Sequence, residues 1–407
     1  MAEMDKPLPN ITEKVHVESP EETIVEQTEK LKEVNEDGIE VVQNEDGSAD
    51  IEFEPGKVNQ ADGEDHTANL ADLLPDEVLG RLGSRLFQEY EDYRVARKDW
   101  EQTYVTGLDL LGFKYVNRSQ PFQGASGATH PVLAEAVTQF QATAYKELLP
   151  SDGPVRTQIL GMATREKEDQ GMRVKDYMNY QIMNEMPEYE AEFDQMLFYL
   201  PLAGSTFKKV YYDAVQGAPV SKFVPADDLL VPYSATSLED AETVMHIIKM
   251  SQNEIKKQQF AGFYRDIDLG TPQWFEDPLT AKEKEIDGQK KTKPEDIFTL
   301  FECHTNLDLE GFEDINPQTG EPTGIKVPYI VTIDAGSRTV LSIRRNYAPN
   351  DPTKKKIQYF VHFKFLPGLG FYGLGLIHMI GGLSRTATVA LRQLLDAGTL
   401  SNLPAGF

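Results

Sequence analysis

Phe363-Lys364-Phe365-Leu366-Pro367-Gly368-Leu369-Gly370-Phe371-Tyr372-Gly373 leads from a β-type run, Ile357 to Phe365, into an apolar helical run, Leu374 to Ala397. Gly368, Gly370 and Gly373 spell G-x-G-x-x-G between strand and helix, the setting in which a helix N-terminus holds a dinucleotide pyrophosphate. Three features oppose that reading. Phe371 and Tyr372 crowd the space a pyrophosphate needs, and Pro367 breaks the passage from strand to turn. The second β-strand with a terminal acid is missing, because helix continues there and Asp396 lies near its end. The stretch therefore reads as a glycine-aromatic hinge before a long helix. Gly398 is expected to stop that helix. Gly373, Gly375, Gly381, Gly382, Ala387 and Ala390 are small, and a helical glycine costs about 1 kcal/mol relative to alanine. Close packing against neighbours, or a bend, would justify that cost. Arg385, Arg392 and Gln393 are the long polar groups on this helix.

Upstream, period-two runs alternate with turn residues. Ile297 to Thr305, Pro328 to Asp334 and Thr339 to Arg344 read as strands, the last two joined through Ala335-Gly336. Thr206 to Tyr212 and Val220 to Val224 read as a hairpin around Gln216-Gly217, and Met245 to Met250 as a further strand. Ser251 with Glu254 makes a capping box. Residues 265–295, rich in Lys, Glu, Asp and Pro, are expected to be an exposed loop or irregular arm.

Nearer the N-terminus the period becomes helical. Leu79, Leu82, Leu86, Tyr90 and Tyr93 share one face behind Pro75. Leu133, Val137, Phe140, Ala144 and Leu148 form a stripe after Pro131, stopped at Pro150. Val174, Met178 and Ile182 align on a helix capped by Thr164 and broken at Pro187. Asp194 to Leu200 reads as another short helical turn. Each stripe implies core or subunit contact. Residues 1–70 differ in kind: twenty acidic residues stand against five basic, with no sustained apolar period, so a disordered acidic tail is expected. Helices and strands segregate, giving an α+β class. The expected divisions are the tail at 1–70, a helical region with a hairpin at 71–260, a loop and β-rich region at 261–350, and strand plus glycine-rich helix at 351–407.

The chain has 407 residues and a formal charge of −26, the wrong sign for a protein that grips phosphates. Contact with DNA is expected to be loose or confined to a local patch. One cysteine, Cys303, excludes an intrachain disulfide and reads as a small buried apolar residue in a reducing compartment. No signal-peptide pattern opens the sequence. The longest apolar run, Leu374 to Ile380, falls far short of the roughly 20 residues that cross a bilayer, so a soluble chain is expected. The seven histidines are scattered without ligand spacing; His304, His362 and His378 read as core residues. Asp227-Asp228 and Glu239-Asp240 read as solvated or capping groups rather than an acid/base pair. No reaction centre, metal site or cofactor is expected.

One resemblance goes further. The run Phe122-Gln123-Gly124-Ala125-Ser126-Gly127-Ala128-Thr129-His130-Pro131-Val132-Leu133-Ala134-Glu135-Ala136 resembles a signature of tailed-phage portal proteins. So does the stretch from Phe363 to Gly373 together with Arg392-Gln393-Leu394-Leu395-Asp396-Ala397-Gly398 and the closing Thr399 to Pro404. The likeness is nearest to podovirus-type portals, or head-to-tail connectors, and covers roughly residues 70–407. It implies no enzymatic activity and a ring of subunits, usually twelve, at one capsid vertex. It also implies a helical wing, a stem, a β-rich clip and channel helices. The wing would take helices of 70–200, the clip part of 296–350. The helix of 373–397 would be a stem or channel helix, its N-terminal glycines a bend. Such a subunit partners copies of itself, viral double-stranded DNA, the terminase motor, major capsid or scaffolding protein and tail adaptors, with no membrane. It resides in the virion after assembly in the host cytoplasm. Family portals continue beyond this helix, so a truncated chain is expected. The charge fits a conduit whose acidic walls let DNA slide, and a closed ring needs two complementary faces per subunit. The rival readings are another virion connector and a nucleotide-binding enzyme using Gly368, Gly370 and Gly373.

Overall fold

In the computed structural model the described residues are three strands within 32–53, and 66–402 apart from 214–216, 273–276, 290–295 and 317–318. The chain divides into two units, Met1–Asp65 and His66–Phe407. In the first, β1 (Lys32–Val34), β2 (Ile39–Gln43) and β3 (Ala49–Phe53) form an antiparallel meander. A disordered tail was the expectation over 1–70. The β-branched residues Val34, Ile39, Val41, Val42 and Ile51 favour strands locally in spite of the acidic composition. The remainder of 1–65 lies outside the described residues.

The second unit is built on two antiparallel sheets. Strands β6 (Leu229–Leu230), β7 (Thr243–Ser251), β8 (Ile297–Leu307), β9 (Val327–Asp334) and β10 (Val340–Arg345) pair in the order β10-β9-β8-β7-β6. Helix α1 (Asp76–Ala96) lays Leu79, Leu82, Leu86, Phe87 and Tyr90 on this sheet, against Phe301, Cys303, Val331 and Ile333. The Tyr90 and Phe301 rings stack at 4.1 Å. The outer edge, β10, is occupied by Asn69, whose amide donates to Leu341 O at 3.2 Å and whose carbonyl accepts Ile343 N at 2.9 Å. That contact satisfies groups which an open edge strand would leave unpaired.

The smaller sheet has the order β11-β4-β5, from β4 (Ser205–Asp213), β5 (Ala218–Pro225) and β11 (Phe360–Lys364). The expected hairpin is present, and its turn residues 214–216 lie outside the described set. Phe207, Val224, Leu229, Val244, Phe360 and Phe371 fill the space between the sheets. Beside them lies a helical core of Tyr104, Leu108, Leu133, Val137, Leu202, Leu279 and Ile377. It comes from α2 (Lys98–Leu108), α3 (Val132–Leu148), α5 (Tyr189–Ala203), α7 (Pro278–Ile286) and α8 (Leu376–Ser401). Helix α4 (Arg165–Tyr180) and the short α6 (Gln252–Phe260), with its Ser251–Glu254 capping box, complete the unit.

Several expectations need correction. The divisions at 260 and 350 are not boundaries, because β7 pairs with β8 and β11 pairs with β4 across them. The β-rich part of 261–350 is the centre of the core, with Leu300, Phe301, Cys303 and Ile333 fully buried. Residues 265–295 are not wholly irregular: α7 lies among them, anchored by the buried Leu279. Gly398 does not stop α8, which runs on to Ser401; Gly398 lacks a positive φ and has open space around it, so nothing there calls for a left-handed turn. Val174 and Met178 on α4 are exposed, and only Asn179 of that helix is buried. Among the described residues, no helix is long and apolar enough to cross a membrane.

Candidate functional site

The two stretches that carry the resemblance meet in space. The loop before α3 docks on α8 through its backbone. Ser126 N donates to Asp396 Oδ1 at 2.6 Å, and His130 N donates to Thr388 Oγ1 at 3.1 Å. From the helix, Arg392 donates Nε to Ala128 O at 2.7 Å and Nη2 to Thr129 Oγ1 at 3.2 Å. Arg118 approaches Asp396 at 3.8 Å. The loop folds back on itself tightly: a Cβ on Gly127 would stand 1.7 Å from Val116 O, and Gly124 takes a φ of +87°. Ala125 is buried beneath it, and Pro131 is the N-cap of α3. Backbone donors held by side-chain acceptors fix the loop's path regardless of most of its own side chains. Sequence reasoning picked out Gly124, Ala125, Ser126, His130, Pro131 and Arg392; Asp396 stood in the quoted stretch without a role, and Thr388 lay outside it.

Helix α8 buries Ile377, Gly381, Ser384 and Thr388 on one side. Its opposite side shows Met379, Leu383, Ala390 and Leu394 to solvent, with Val389 and Leu400 alongside. Arg385 is exposed on a flank of the helix, away from that stripe. Gly381 makes an ordinary contact, since a Cβ there would lie 3.6 Å from Leu110 Cδ1; Gly382 has nothing within 4 Å. Between loop and helix lies a groove of about 370 Å³ lined by Arg118, Phe122, Val389, Arg392, Asp396 and Leu400.

The glycine bend is packed against the chain's own backbone. A Cβ on Gly373 would stand 2.3 Å from Gly204 O, and one on Gly375 would stand 2.3 Å from Leu202 O. Gly204 itself takes a φ of +89°, open to glycine at little cost. The amides a pyrophosphate would need are already engaged: Gly373 N donates to Ser205 Oγ at 2.7 Å and Leu374 N to Leu366 O at 2.8 Å. Gly375 N donates to His378 Nδ1 at 3.1 Å. Phe371 stacks on Phe207 at 5.9 Å, Tyr372 stacks on Trp100 at 4.7 Å, and the Tyr372 hydroxyl donates to Leu229 O. The preceding strand is antiparallel to its neighbour, whereas a dinucleotide fold uses parallel βαβ units. A Cβ on Gly370, by contrast, would meet nothing within 4 Å.

Two buried charge clusters escaped the sequence reading. In the first, Lys209 Nζ contacts both Glu302 oxygens, at 2.6 and 2.7 Å, and His304 Nε2 lies 2.8 Å from Glu302 Oε1. Burial opposes ionisation of Glu302, but Lys209, His304 and His246 hold its carboxyl well below the usual range. Burial pushes His246 down to about 3.

In the second cluster Asp227, expected to be a solvated or capping group, is 5% exposed. Glu101 is 6% exposed, feels the charge of Asp277, and keeps Oε1 without a partner. Glu283 likewise has a buried, unpartnered Oε1, and the Tyr199 hydroxyl lies near enough to favour its ionised form slightly. Burial first, then neighbouring carboxylates, pushes Glu101 up to about 7, Asp227 to about 7 and Glu283 to about 8. Asp228 rises to about 6, chiefly through burial and against Lys249. Arg97 offers little relief through hydrogen bonds, because its guanidinium donates to Ala226 O, Leu229 O and the backbone O of Asp227. The signal was faint: polar pairs beside a turn look solvated until α2, α5 and α7 close over them. No group of three potential metal ligands in metal-binding geometry occurs among the described residues. Comparison of the chain with protein-family models and with curated proteins returns no match.

Proposed function

We propose that this chain is a portal subunit of a tailed phage, a wedge in the ring through which DNA is packaged and ejected, with no chemistry of its own. The supporting observation is the junction of the 122–131 loop with α8: the two stretches that resemble the portal signature, more than 250 positions apart, are bonded to each other. The apolar outer side of α8 agrees with this reading. Met379, Leu383 and Leu394 are 56, 67 and 71% exposed in one stripe, the kind of surface that a neighbouring subunit covers. The −26 charge suits a passage that repels phosphates. Partners follow from the reading: copies of itself in a ring of about twelve, as the resemblance implies, viral DNA, the terminase motor, capsid or scaffolding protein and tail adaptors, in a virion. A wing, clip and stem are part of the proposal too.

Electron microscopy and light scattering of the purified chain test it. Closed rings are expected, and Leu383→Asp with Leu394→Asp is expected to yield folded monomers. A wild-type chain that stays monomeric at every concentration would count against the proposal. Assembly only upon a ring made of another protein would favour the connector alternative.

A further inference from the structure

Helix α7 crosses the helical core with few apolar anchors. Leu279 is fully buried and Ile286 half-buried, while the rest of its hold is polar. At its N-cap, Asp277 accepts from Arg94 at 2.9 Å and opposes ionisation of the buried Glu101 of α2. At mid-helix, Glu283 meets Tyr199 of α5 and Asp227, which also lies in the field of Tyr104. Lys249 of β7 reaches Thr280 Oγ1 at 3.3 Å and faces Asp228 and Glu283. Outside, Lys282 pairs with Asp109 at 2.7 Å and Lys114 with Glu285 at 2.8 Å.

The inner groups do not balance. Five carboxyls (Glu101, Asp227, Asp228, Asp277, Glu283) face three cations, Arg94, Arg97 and Lys249, and Asp287 adds a further negative charge nearby. A buried carboxylate oxygen with no donor, as at Glu101 Oε1 and Glu283 Oε1, favours the protonated form. A second shortage falls at Glu283, whose buried Oε1 has no donor and which shares the field of Asp227 and Lys249. Glu101 also lines a groove of about 750 Å³ between α1, α2 and Pro278, which gives solvent protons a route to it.

We propose that α7 is a proton-dependent latch, seated across α2 and α5 while the carboxyl cluster holds its protons and loosened when the cluster ionises. The inference does not rest on the portal reading. Ionisation would leave buried negative charges facing one another across the α7 contacts, and lifting α7 is the shortest way to return them to water. The burial-raised carboxyls put the change near neutrality, from about 6 to about 8.

Hydrogen–deuterium exchange of the full chain at pH 5.5 and 8.5, normalised to unfolded-chain rates at each pH, tests the latch. Protection of 278–286 should fall at least about tenfold relative to α1 on raising the pH. Glu101→Gln with Glu283→Gln, which keeps the side-chain shape without the charge, should hold the ratio constant. A wild-type ratio independent of pH overturns the proposal, as does a full response in the folded double variant. Should that variant not fold, Glu283→Gln alone should reduce the response, and an undiminished one overturns the proposal equally.

Discussion

Alanine at Gly373 and at Gly370 should have unequal costs, although both glycines belong to the same motif. A Cβ on Gly373 would stand 2.3 Å from Gly204 O and 2.9 Å from Leu366 O, both backbone atoms that cannot swing aside. Relieving the clash means moving the bend off β4, which stretches the 2.7 Å bond from Gly373 N to Ser205 Oγ and the 2.8 Å bond from Leu374 N to Leu366 O. Overpacking costs about 1–3 kcal/mol, and each weakened hydrogen bond up to about 1 more. Gly373→Ala should therefore destabilise the fold by about 2–4 kcal/mol. With a urea slope near 3 kcal/mol per M, the midpoint falls by about 1 M. A Cβ on Gly370 would meet nothing within 4 Å and the residue has no positive φ, so Gly370→Ala should stay within about 0.5 kcal/mol of wild type. Urea titrations followed by tryptophan fluorescence and far-ultraviolet circular dichroism give both numbers. Equal midpoints for the two variants would refute the backbone-packing account of the bend. Calorimetric heat with a dinucleotide, abolished by Gly370→Ala, would revive the cofactor account.

Other predictions follow from the junction and the charge clusters. Asp396→Ala removes the acceptor of Ser126 N and should cost about 1–3 kcal/mol, with proteolytic nicking appearing first within 118–131; unchanged proteolysis would refute the docking role. Glu302→Leu strands Lys209 in a buried site and should cost about 3–5 kcal/mol, whereas adding Lys209→Met should recover much of that loss in the same urea titrations. Stability should peak between about pH 4.5 and 6.5. Glu101 and Glu283 have folded values raised above 4.5, so their stabilisation is complete below that value and is lost as pH rises towards about 7 and about 8. His246 and His362 have folded values lowered from 6.5 to about 3, so theirs is complete above 6.5 and lost as pH falls. A midpoint rising steadily from pH 5 to pH 9 would contradict these assignments.

What the sequence revealed, and what it hid, follows from the range of the forces involved. Helix α1 was legible because Leu79, Leu82, Leu86 and Tyr90 repeat at helical spacing and all four are buried. The Ser251–Glu254 box was legible because a cap is a local interaction. Helix α2 was missed, although Trp100, Tyr104 and Leu108 stand four apart on one face and carry a usable signal. Helix α7 was hidden by its own lysines and glutamates, with Leu279 and Ile286 the only apolar groups that reach the core. The stripe on α4 was read correctly as helical, and of the two expectations for it, core or subunit contact, the exposed Val174 and Met178 exclude the core, since periodicity reports a face and not what lies against it. The loop signature was recognised without its partners because Thr388 and Asp396 are ordinary helix-face residues until the loop arrives. Asp227 and Asp228 were misread because their burial depends on three helices distant in sequence.

Strand β11 completes the small sheet by pairing Phe360 with Lys209 and Lys364 with Ser205. Until it emerges from the ribosome, the flank of β4 offers unpaired amides and carbonyls. Translation at about 5–20 residues per second spreads the intervening stretch of sequence over roughly 10–30 s. Throughout that interval a nascent hairpin could stitch itself to its counterpart on the next ribosome of the same message. High-level expression should therefore favour inclusion bodies, and slower translation or a colder culture should relieve them.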